Sequence, residues 1–289
     1  MRTSGMAIAL AAGIGTALCG FTRADADAEL RAGLAKSLTL HAPFDTGFDA
    51  EFSRGAKACL AQKGKDLVPA QANDDVKVVK NAGRFGGALH YPKKGNTRPS
   101  FKDGGVLGYN AKSWNCTVSI WLKLDPDKDL EPGYCDPVQI IGDDTKKGYI
   151  FLEWSKDETP RYFRYAIRPL FPIWNPDNKP WADIPFEKRP MVQVERAPFS
   201  REKWTHVAFT VENLNGKSPS GSLFVNGKRK GSIEKWDLRF EWNPASVLLV
   251  LGASYVGYQD DLAVFDRPLT EAEVECLYGL KNGVNDLRW

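Results

Sequence analysis

The sequence predicts an all-β protein, a two-sheet antiparallel β-sandwich or jelly roll that ends in one short helix. Several short segments alternate apolar and polar residues with a period of two, which is typical of half-buried strands, and turn residues separate them. Nine Trp, fifteen Phe, nine Tyr and eighteen Pro among 289 residues suit strands and loops around a large core. Nothing in the composition marks a second folded domain.

The segment NCTVSIWLKL (115–124) shows the clearest alternation. Every second residue from Cys116 to Leu124 is apolar, and the residues between them face the opposite way. Comparable patterns predict further strands, in chain order, at SLTLHAPF (37–44), residues 76–79, GRFGGALHY (83–91), DPVQIIG (136–142), GYIFLEW (148–154), RYFRYAI (161–167), KWTHVAFTVE (203–212), SVLLVLGAS (246–254) and YQDDLAVFD (258–266).

Two local signals define a hairpin and the helix. In GSLFVNGKRKGS (221–232), Asn226-Gly227 supplies two residues that tolerate the positive φ angles of a type I′ turn. In LTEAEVECLYGL (269–280), Thr270 is placed to cap a helix, and Glu273 three residues later completes a capping box.

The N-terminus has the order of a secretory signal. Arg2 precedes an apolar run, and small residues follow it, so we predict a signal peptide over 1–26, cleaved after Ala26 or alternatively after Ala28. The run is too short to span a bilayer, which disfavours a membrane anchor. The mature chain is then a leader (27–36) and one domain (37–289) with no transmembrane segment, secreted or periplasmic.

Four cysteines remain after such cleavage. In an oxidising compartment an even number predicts two disulfides, and three pairings are possible. The alternative is buried free thiols, because a domain of this size needs no covalent staples. The four residues are Cys59, Cys116, Cys135 and Cys276.

The charge is nearly balanced, with 39 Lys and Arg against 36 Asp and Glu and a formal net charge of +3. No run of basic residues resembles a nucleic-acid-binding arm. We therefore expect no nucleic-acid partner.

Three stretches carry a family resemblance: GRFGGALHY, then KWTHVAFTVENL with GSLFVNGKRKGS, and finally LGASYVGYQDDLAVFDRPLTEAEVECLYGL. In this order and spacing they resemble the laminin-G-like jelly roll of the concanavalin A-like lectin/glucanase superfamily, over most of Leu38 to Leu280. Residues 169–198 depart from the pattern, since they are long for a connection between sandwich strands. They resemble an insertion found in some exported bacterial members.

The resemblance implies one structural calcium ion, which relatives often hold between the turn after the first strand and the final strand. The matching residues are Asp45 and Asp260, with Asp49 and Asp261 as possible additions. The alternative is that Asp45 makes an Asx turn and Asp260 accepts backbone hydrogen bonds.

The superfamily includes glycosidases, but the residues favour a non-catalytic protein. Sandwich glucanases usually place carboxylates on alternate residues of one strand, and no predicted strand has that arrangement. GASYVG around Ser254 is one residue too long for a G-x-S-x-G nucleophile elbow. The three histidines lie in different predicted strands.

The insertion contains FPIWNPDNKPWADIPFEKRP (171–190), which combines aromatic and polar residues as sugar sites do. The predicted ligand-binding residues are Trp174, Trp181, Asn175, Asp177, Asn178 and Asp183. The alternative is that the aromatic rings only anchor the loop on the sandwich.

The leading hypothesis is an exported, non-catalytic carbohydrate-binding or adhesive module that recognises a polysaccharide or glycan through aromatic stacking and loop hydrogen bonds. One alternative is a glycoside hydrolase or lyase whose carboxylates come from scattered strands. Another is a structural module that binds a protein of the cell envelope.

Overall fold

Two antiparallel sheets packed face to face form the protein in the computed structural model, which describes residues 23–156 and 158–288. The predicted fold class is confirmed. In spatial order, the first sheet (sheet A) contains β15 (Lys228–Ile233), β14 (Ser220–Val225), β13 (Thr205–Leu214), β8 (Trp114–Lys123), β17 (Gly257–Phe265), β1 (Leu38–Ala42) and β2 (Phe52–Ser53). Two further strands branch from β17: β6 (Ala88–Tyr91) pairs with β17, and β5 (Lys77–Val79) pairs with β6.

The second sheet (sheet B) carries the strands on either side of the predicted insertion. Its spatial order is β12 (Met191–Val194), β11 (Phe163–Arg168), β10 (Tyr149–Trp154), β9 (Cys135–Ile141), β16 (Leu248–Ala253), β7 (Ser100–Lys102), β3 (Leu60–Lys63) and β4 (Asp66–Pro69). The sequence patterns did not reveal β2, β3, β4, β7 and β12, which have four residues or fewer.

The helices are few and short. They are α1 (Arg23–Ser37), α2 (Pro126–Asp129), α3 (Phe171–Trp174) and α4 (Glu271–Tyr278), with single 3₁₀ turns at Trp181–Asp183, Phe186–Lys188, Pro244–Ser246 and Gly283–Leu287. Within residues 23–156 and 158–288, none of the helices has the length and apolar character needed to cross a membrane.

The main core lies between the two sheets. The predicted inward face of β8 is confirmed, since Val118, Ile120 and Leu122 are buried in that core. The strand is not half-buried as predicted, because Thr117, Ser119 and Trp121 on its other face are buried as well. The predicted hairpin is also confirmed, because Asn226 and Gly227 have φ angles of 50° and 76° between β14 and β15. These local patterns succeed because each specifies which face of a strand is apolar or which φ angles a turn requires.

The outer face of sheet A is partly covered by α1 and α4. Leu34 of α1 and Leu277 of α4 belong to one apolar cluster with Phe265 of β17. The predicted capping box is present, with Thr270 Oγ1 accepting from Glu273 N and the Glu273 carboxylate accepting from Thr270 N.

Most of the predicted signal peptide lies outside the described residues. Its predicted cleavage points, after Ala26 or Ala28, fall in the first half of α1, where residues 24–29 are exposed. Cleavage at either point would leave Leu34 and its packing intact, so the processed chain would keep the cover of sheet A.

The structure contains the four predicted disulfide cysteines as free thiols, which corrects the disulfide prediction in favour of its alternative. Cys59, Cys116 and Cys135 belong to the main core, whereas Cys276 lies on α4, on the other side of sheet A. Burial raises the pKa of the Cys59 thiol to about 12. Buried thiols of this kind pack as small apolar groups.

Candidate functional site

The predicted insertion is an ordered layer on the outer face of sheet B. It contains α3 and two 3₁₀ turns, and it ends in β12, which pairs with β11 and extends the sheet. Pro172, near the start of α3, suits the first turn of a helix because that position needs no backbone donor. The segment is therefore both a cover and a sheet edge, rather than only a long connection.

The two predicted tryptophans pack around Arg168, a half-buried residue at the end of β11. The Arg168 guanidinium lies 4.0 Å from the ring centroid of Trp181, 5.0 Å from that of Trp174 and 4.7 Å from that of Phe151. The two indole rings meet edge to face, 5.7 Å apart. Both rings are thus held on the sheet by a cation–π cluster, and both remain partly exposed.

The predicted polar residues of the insertion divide into two groups. Asn175 is buried, and its side chain donates to Lys179 O and accepts from Lys179 N, each at 2.9 Å. It therefore closes the loop on itself, which corrects its predicted place on a sugar-facing surface. Asp177, Asn178 and Asp183 are exposed on the rim.

A cluster of polar side chains lies on the same face of sheet B and was not found from the sequence. The Tyr149 hydroxyl donates to Asp136 Oδ2 at 2.6 Å, and Gln139 Nε2 donates to the same oxygen at 2.7 Å. Next to them, Arg164 donates to Glu153 Oε1 at 3.2 Å. Strand alternation places Gln139, Tyr149, Glu153 and Arg164 outward, whereas Asp136 reaches the same face through the irregular pairing of β9 with β10. An outward position normally faces water, so no sequence signal marked these residues as a site.

Burial changes the ionisation of the acidic residues in this cluster. Glu153 is only 4 % exposed, and burial followed by the nearby Asp136 charge raises the pKa of its carboxyl to about 7. Burial also raises the pKa of Asp136, against the opposing hydrogen bonds from Tyr149 and Gln139. Both carboxyls thus gain protons more readily than ordinary acids do.

Four buried polar atoms at this site have no hydrogen-bond partner among the described residues: Asp136 Oδ1, Arg168 Nε, Trp174 Nε1 and Trp181 Nε1. Buried polar groups are nearly always bonded to protein or to ordered water, so four such atoms on one face call for partners. One of them is an acceptor and three are donors, and all four are enclosed by protein, so ordered water is their natural partner.

Gln139 joins this cluster to a neighbouring cavity of about 120 Å³ on the same sheet face. Ile141, Leu248 and Val250 give the cavity an apolar floor. Its other lining residues are Gln62, Leu67, Asn96, Arg98, Ser100 and Gln139 itself. The face between the β3–β4 hairpin and the insertion, named here the sheet-B groove, therefore offers apolar surface with polar groups beside it.

The two predicted calcium ligands contact one glycine-rich loop. Asp45 Oδ1 accepts from Gly87 N at 2.6 Å, and Asp260 Oδ2 accepts from Arg84 N and Phe85 N at 2.6 and 3.0 Å. A side chain at Gly86, which has a φ of 122°, would collide with Asp45 Oδ1. The loop is therefore fitted to both carboxylates. Asp260 accepts backbone hydrogen bonds, as the alternative interpretation expected, whereas Asp45 bonds this distant loop and not an Asx turn of its own.

One carboxylate oxygen of this arrangement is free to bind a cation. Asp260 Oδ1 is buried without a hydrogen-bond partner among the described residues, and burial raises the pKa of Asp260 to about 8. However, Asp49 accepts from Cys59 N, and Asp261 binds His41 and Val284 N. Within residues 23–156 and 158–288 no three acidic, His or Cys side chains form a metal site, so backbone carbonyls would have to complete the shell.

A Ser–His pair lies in sheet A but is inaccessible. Ser119 Oγ and His206 Nε2 are 2.8 Å apart, and both residues are buried. Burial lowers the pKa of His206 to about 3, so the ring stays neutral. The pair completes the packing under α4, where Tyr278 lies over His206.

Residues 107–275, more than half of the 289, match the Laminin_G_3 family, described as the Concanavalin A-like lectin/glucanases superfamily. No curated protein matches the chain in sequence. These residues include the strands on which most of the sheet-B groove is built.

Several solved structures are similar in fold. The botulinum neurotoxin serotype D binding domain matches at 15% identity and a TM-score of 0.54, covering 86% of this chain and 52% of that one. The serotype D ligand binding domain in complex with N-acetylneuraminic acid matches at 15% identity and a TM-score of 0.52, with coverages of 86% and 52%. This chain therefore spans about half of each toxin chain.

Domain 4 of AbnA, a GH43 extracellular arabinanase from Geobacillus stearothermophilus, in complex with arabinotriose, matches at 18% identity and a TM-score of 0.49. The match covers 83% of this chain and 97% of that one. At such identities the similar structures show the fold alone. The family match over residues 107–275, together with the observed two-sheet topology, shows that the chain belongs to the Laminin_G_3 family of the concanavalin A-like lectin/glucanases superfamily.

Proposed function

We propose that the protein is an exported, non-catalytic module that binds a polysaccharide along the sheet-B groove. The observation that carries the proposal is that two partly exposed indole rings lie on the same sheet face as a groove with an apolar floor and polar side chains beside it. A pyranose ring presents an apolar C–H face to aromatic side chains and hydroxyls to polar groups, which matches this combination.

Two further observations support a glycan ligand. Phe186, in the same insertion, is 43 % exposed, so the insertion also presents an aromatic ring to solvent. Among proteins of similar fold, the serotype D toxin domain binds N-acetylneuraminic acid.

The test is native affinity electrophoresis of the protein through gels that contain a panel of neutral polysaccharides. We expect one polymer to retard the protein, and Trp181→Ala to weaken the retardation roughly tenfold or more, because a central Trp commonly dominates a binding surface. Trp236→Ala is the matched control, since Trp236 is half-buried and lines a separate cavity. Equal retardation of wild type and Trp181→Ala would contradict the proposed site, and uniform mobility across the panel would favour a protein-binding module.

We also propose that one calcium ion binds Asp45 and Asp260, with backbone carbonyls completing its shell. Bound calcium would stabilise the folded chain by an amount on the order of 2–3 kcal/mol when present at about 100 times its dissociation constant. Chelator should therefore lower the melting temperature of the wild type and leave that of Asp260→Asn unchanged. The same chelator response in both proteins, or in neither, would reject this site.

Glycoside hydrolysis is a second candidate, favoured by the raised pKa values of Asp136 and Glu153 on the adjacent strands β9 and β10. A carboxyl with a pKa of about 7 can act as a general acid near neutral pH. Release of reducing ends from any polymer of the panel, lost in Glu153→Gln, would favour this function over simple binding.

A further inference from the structure

Gln139 of β9 presents an oriented hydrogen-bond acceptor on the floor of the sheet-B groove. Its Nε2 lies 2.7 Å from Asp136 Oδ2 and 2.6 Å from the Tyr149 hydroxyl. The opposite orientation of the amide would place Gln139 Oε1 against the Asp136 carboxylate, and two acceptors repel each other. The carboxylate therefore draws Nε2 toward itself and turns Oε1 away from the cluster.

This oxygen is open to the groove. No residue that the structure describes donates to Gln139 Oε1, and protein does not enclose it as it encloses Asp136 Oδ1. The residue is 8 % exposed, and the exposed part includes this oxygen. Because Gln139 lines the cavity of about 120 Å³, Oε1 is an acceptor that the cavity offers to a ligand.

Strand register places apolar side chains around Gln139. Val250 of β16 lies directly opposite Gln139, and Leu248 lies opposite Ile141. Residues that face each other across antiparallel strands project from the same side of the sheet, and all four of these line the cavity. A hydrogen bond that forms in such apolar surroundings is stronger than one that forms in water.

The cavity is too small for a sugar ring. Its volume of about 120 Å³ equals that of a few water molecules of about 30 Å³ each. Pockets that enclose a whole small ligand measure roughly 300–1,000 Å³. The cavity therefore has room for a short group that projects from a ring lying on the groove. Such a group needs an apolar part for the floor and a hydrogen-bond donor for Gln139.

From these observations we infer that the cavity receives the exocyclic hydroxymethyl group of a hexopyranose unit, whose hydroxyl donates to Gln139 Oε1. The methylene of that group contacts Val250 and Leu248. The inference rests on the proposed polysaccharide site and names its ligand class, which is polymers of hexoses with a free primary hydroxyl. A xylopyranose unit has no hydroxymethyl group, so a xylan leaves the acceptor without a donor. Gln139 is thus the residue that determines specificity, and Asp136 and Tyr149 position it.

The first test is native affinity electrophoresis through gels that contain glucomannan, mixed-linkage glucan or amylose, and in parallel xylan or linear arabinan. The first three polymers have free primary hydroxyls, and the last two have none. We expect one of the first three to retard the protein, and xylan and arabinan to bind about tenfold more weakly, because they lack both the hydroxyl and its methylene. Equal or stronger retardation by xylan or arabinan would overturn the inference and leave the proposed function standing. Uniform mobility in all five gels would reject both.

The second test uses the polymer that retards the protein most and its 6-deoxy form, in which methyl replaces hydroxymethyl. Gln139→Met removes the acceptor and keeps the length of the side chain. It should weaken binding of the native polymer about fivefold, because one hydrogen bond is lost, and leave binding of the 6-deoxy polymer unchanged. A purely structural role of Gln139 would change binding of both polymers alike.

Gln193→Met is the matched control, since Gln193 lies on the same face of sheet B and its Oε1 already accepts from Arg164 Nε at 2.8 Å. It should bind both polymers as the wild type does. Leu248→Phe keeps the hydrogen bonds of Gln139 but narrows the cavity, so it should also weaken binding of the native polymer, and it decides the question if Gln139→Met does not fold. The inference is overturned if the wild type binds the native and 6-deoxy polymers equally, or if Gln139→Met and Leu248→Phe both bind the native polymer as tightly as the wild type.

Discussion

Replacing Arg168 with methionine is expected to release the insertion from sheet B and to lower the free energy of unfolding by about 3 kcal/mol. The Arg168 guanidinium lies between sheet and insertion, 4.7 Å from the Phe151 ring and 4.0 Å from the Trp181 ring. It also opposes the charges of Asp136 and Glu153 on the sheet. Methionine keeps much of the side-chain volume of arginine. It removes the positive charge that attracts the Trp181 ring of the insertion and the Asp136 and Glu153 carboxyls of the sheet.

The measurement is limited proteolysis together with urea unfolding. Protease should cut Arg168→Met within residues 171–190 faster than it cuts the wild type, because a released loop is cleaved before the sandwich unfolds. Arg239→Met is the control, since Arg239 is exposed and pairs only with nearby Asp237. It should change stability by less than about 0.5 kcal/mol. Unchanged cleavage and unchanged unfolding of Arg168→Met would show that Arg168 does not hold the insertion.

Glu153 is expected to make the protein less stable as pH rises from about 4.5 to 7. The pKa of its carboxyl is about 7 in the folded chain and 4.5 ordinarily, so the folded state binds the proton more tightly than the unfolded state. Its contribution is therefore complete below pH 4.5 and is lost as pH rises through 7. The difference corresponds to on the order of 3 kcal/mol.

Glu153→Gln isolates this effect, because glutamine resembles the protonated acid in shape and does not titrate. Urea unfolding at several pH values should show the difference in stability between wild type and variant changing by about 3 kcal/mol between pH 4.5 and 8. Glu187→Gln, an exposed residue of the same insertion, should show no such change. A wild type and a Glu153→Gln variant with parallel pH profiles would mean that Glu153 is not protonated in the folded state.

Both effects arise from residues that the sequence did not mark. Glu153 belongs to the predicted strand GYIFLEW, and alternation correctly places it on the outer face of sheet B. Alternation cannot reveal what covers that face. The cover is the insertion, whose path over β10 and β11 depends on contacts between residues far apart in the chain.

The same distinction holds elsewhere in the molecule. The inward face of β8, the turn at Asn226-Gly227 and the cap at Thr270 were all predicted, because each depends on residues a few positions apart. The row of contacts formed by His90, Tyr258, Lys123 and Trp204 on sheet A was not predicted, since these residues come from four separate segments. Their contact exists only because β6, β17, β8 and β13 lie side by side.

The cysteines and the insertion show most clearly what local sequence patterns cannot determine. Composition allowed either disulfides or free thiols, and the choice required knowing that sheet A separates Cys276 from the other three. The insertion was recognised as a departure from the family pattern, but its Asn175 was assigned to a ligand when it closes the loop on Lys179. Residue types and spacing thus determined most of the strands, the turn at Asn226-Gly227 and the family of the fold. Tertiary packing decided which polar groups are buried and which surfaces remain open, because those depend on long-range contacts that no local pattern records.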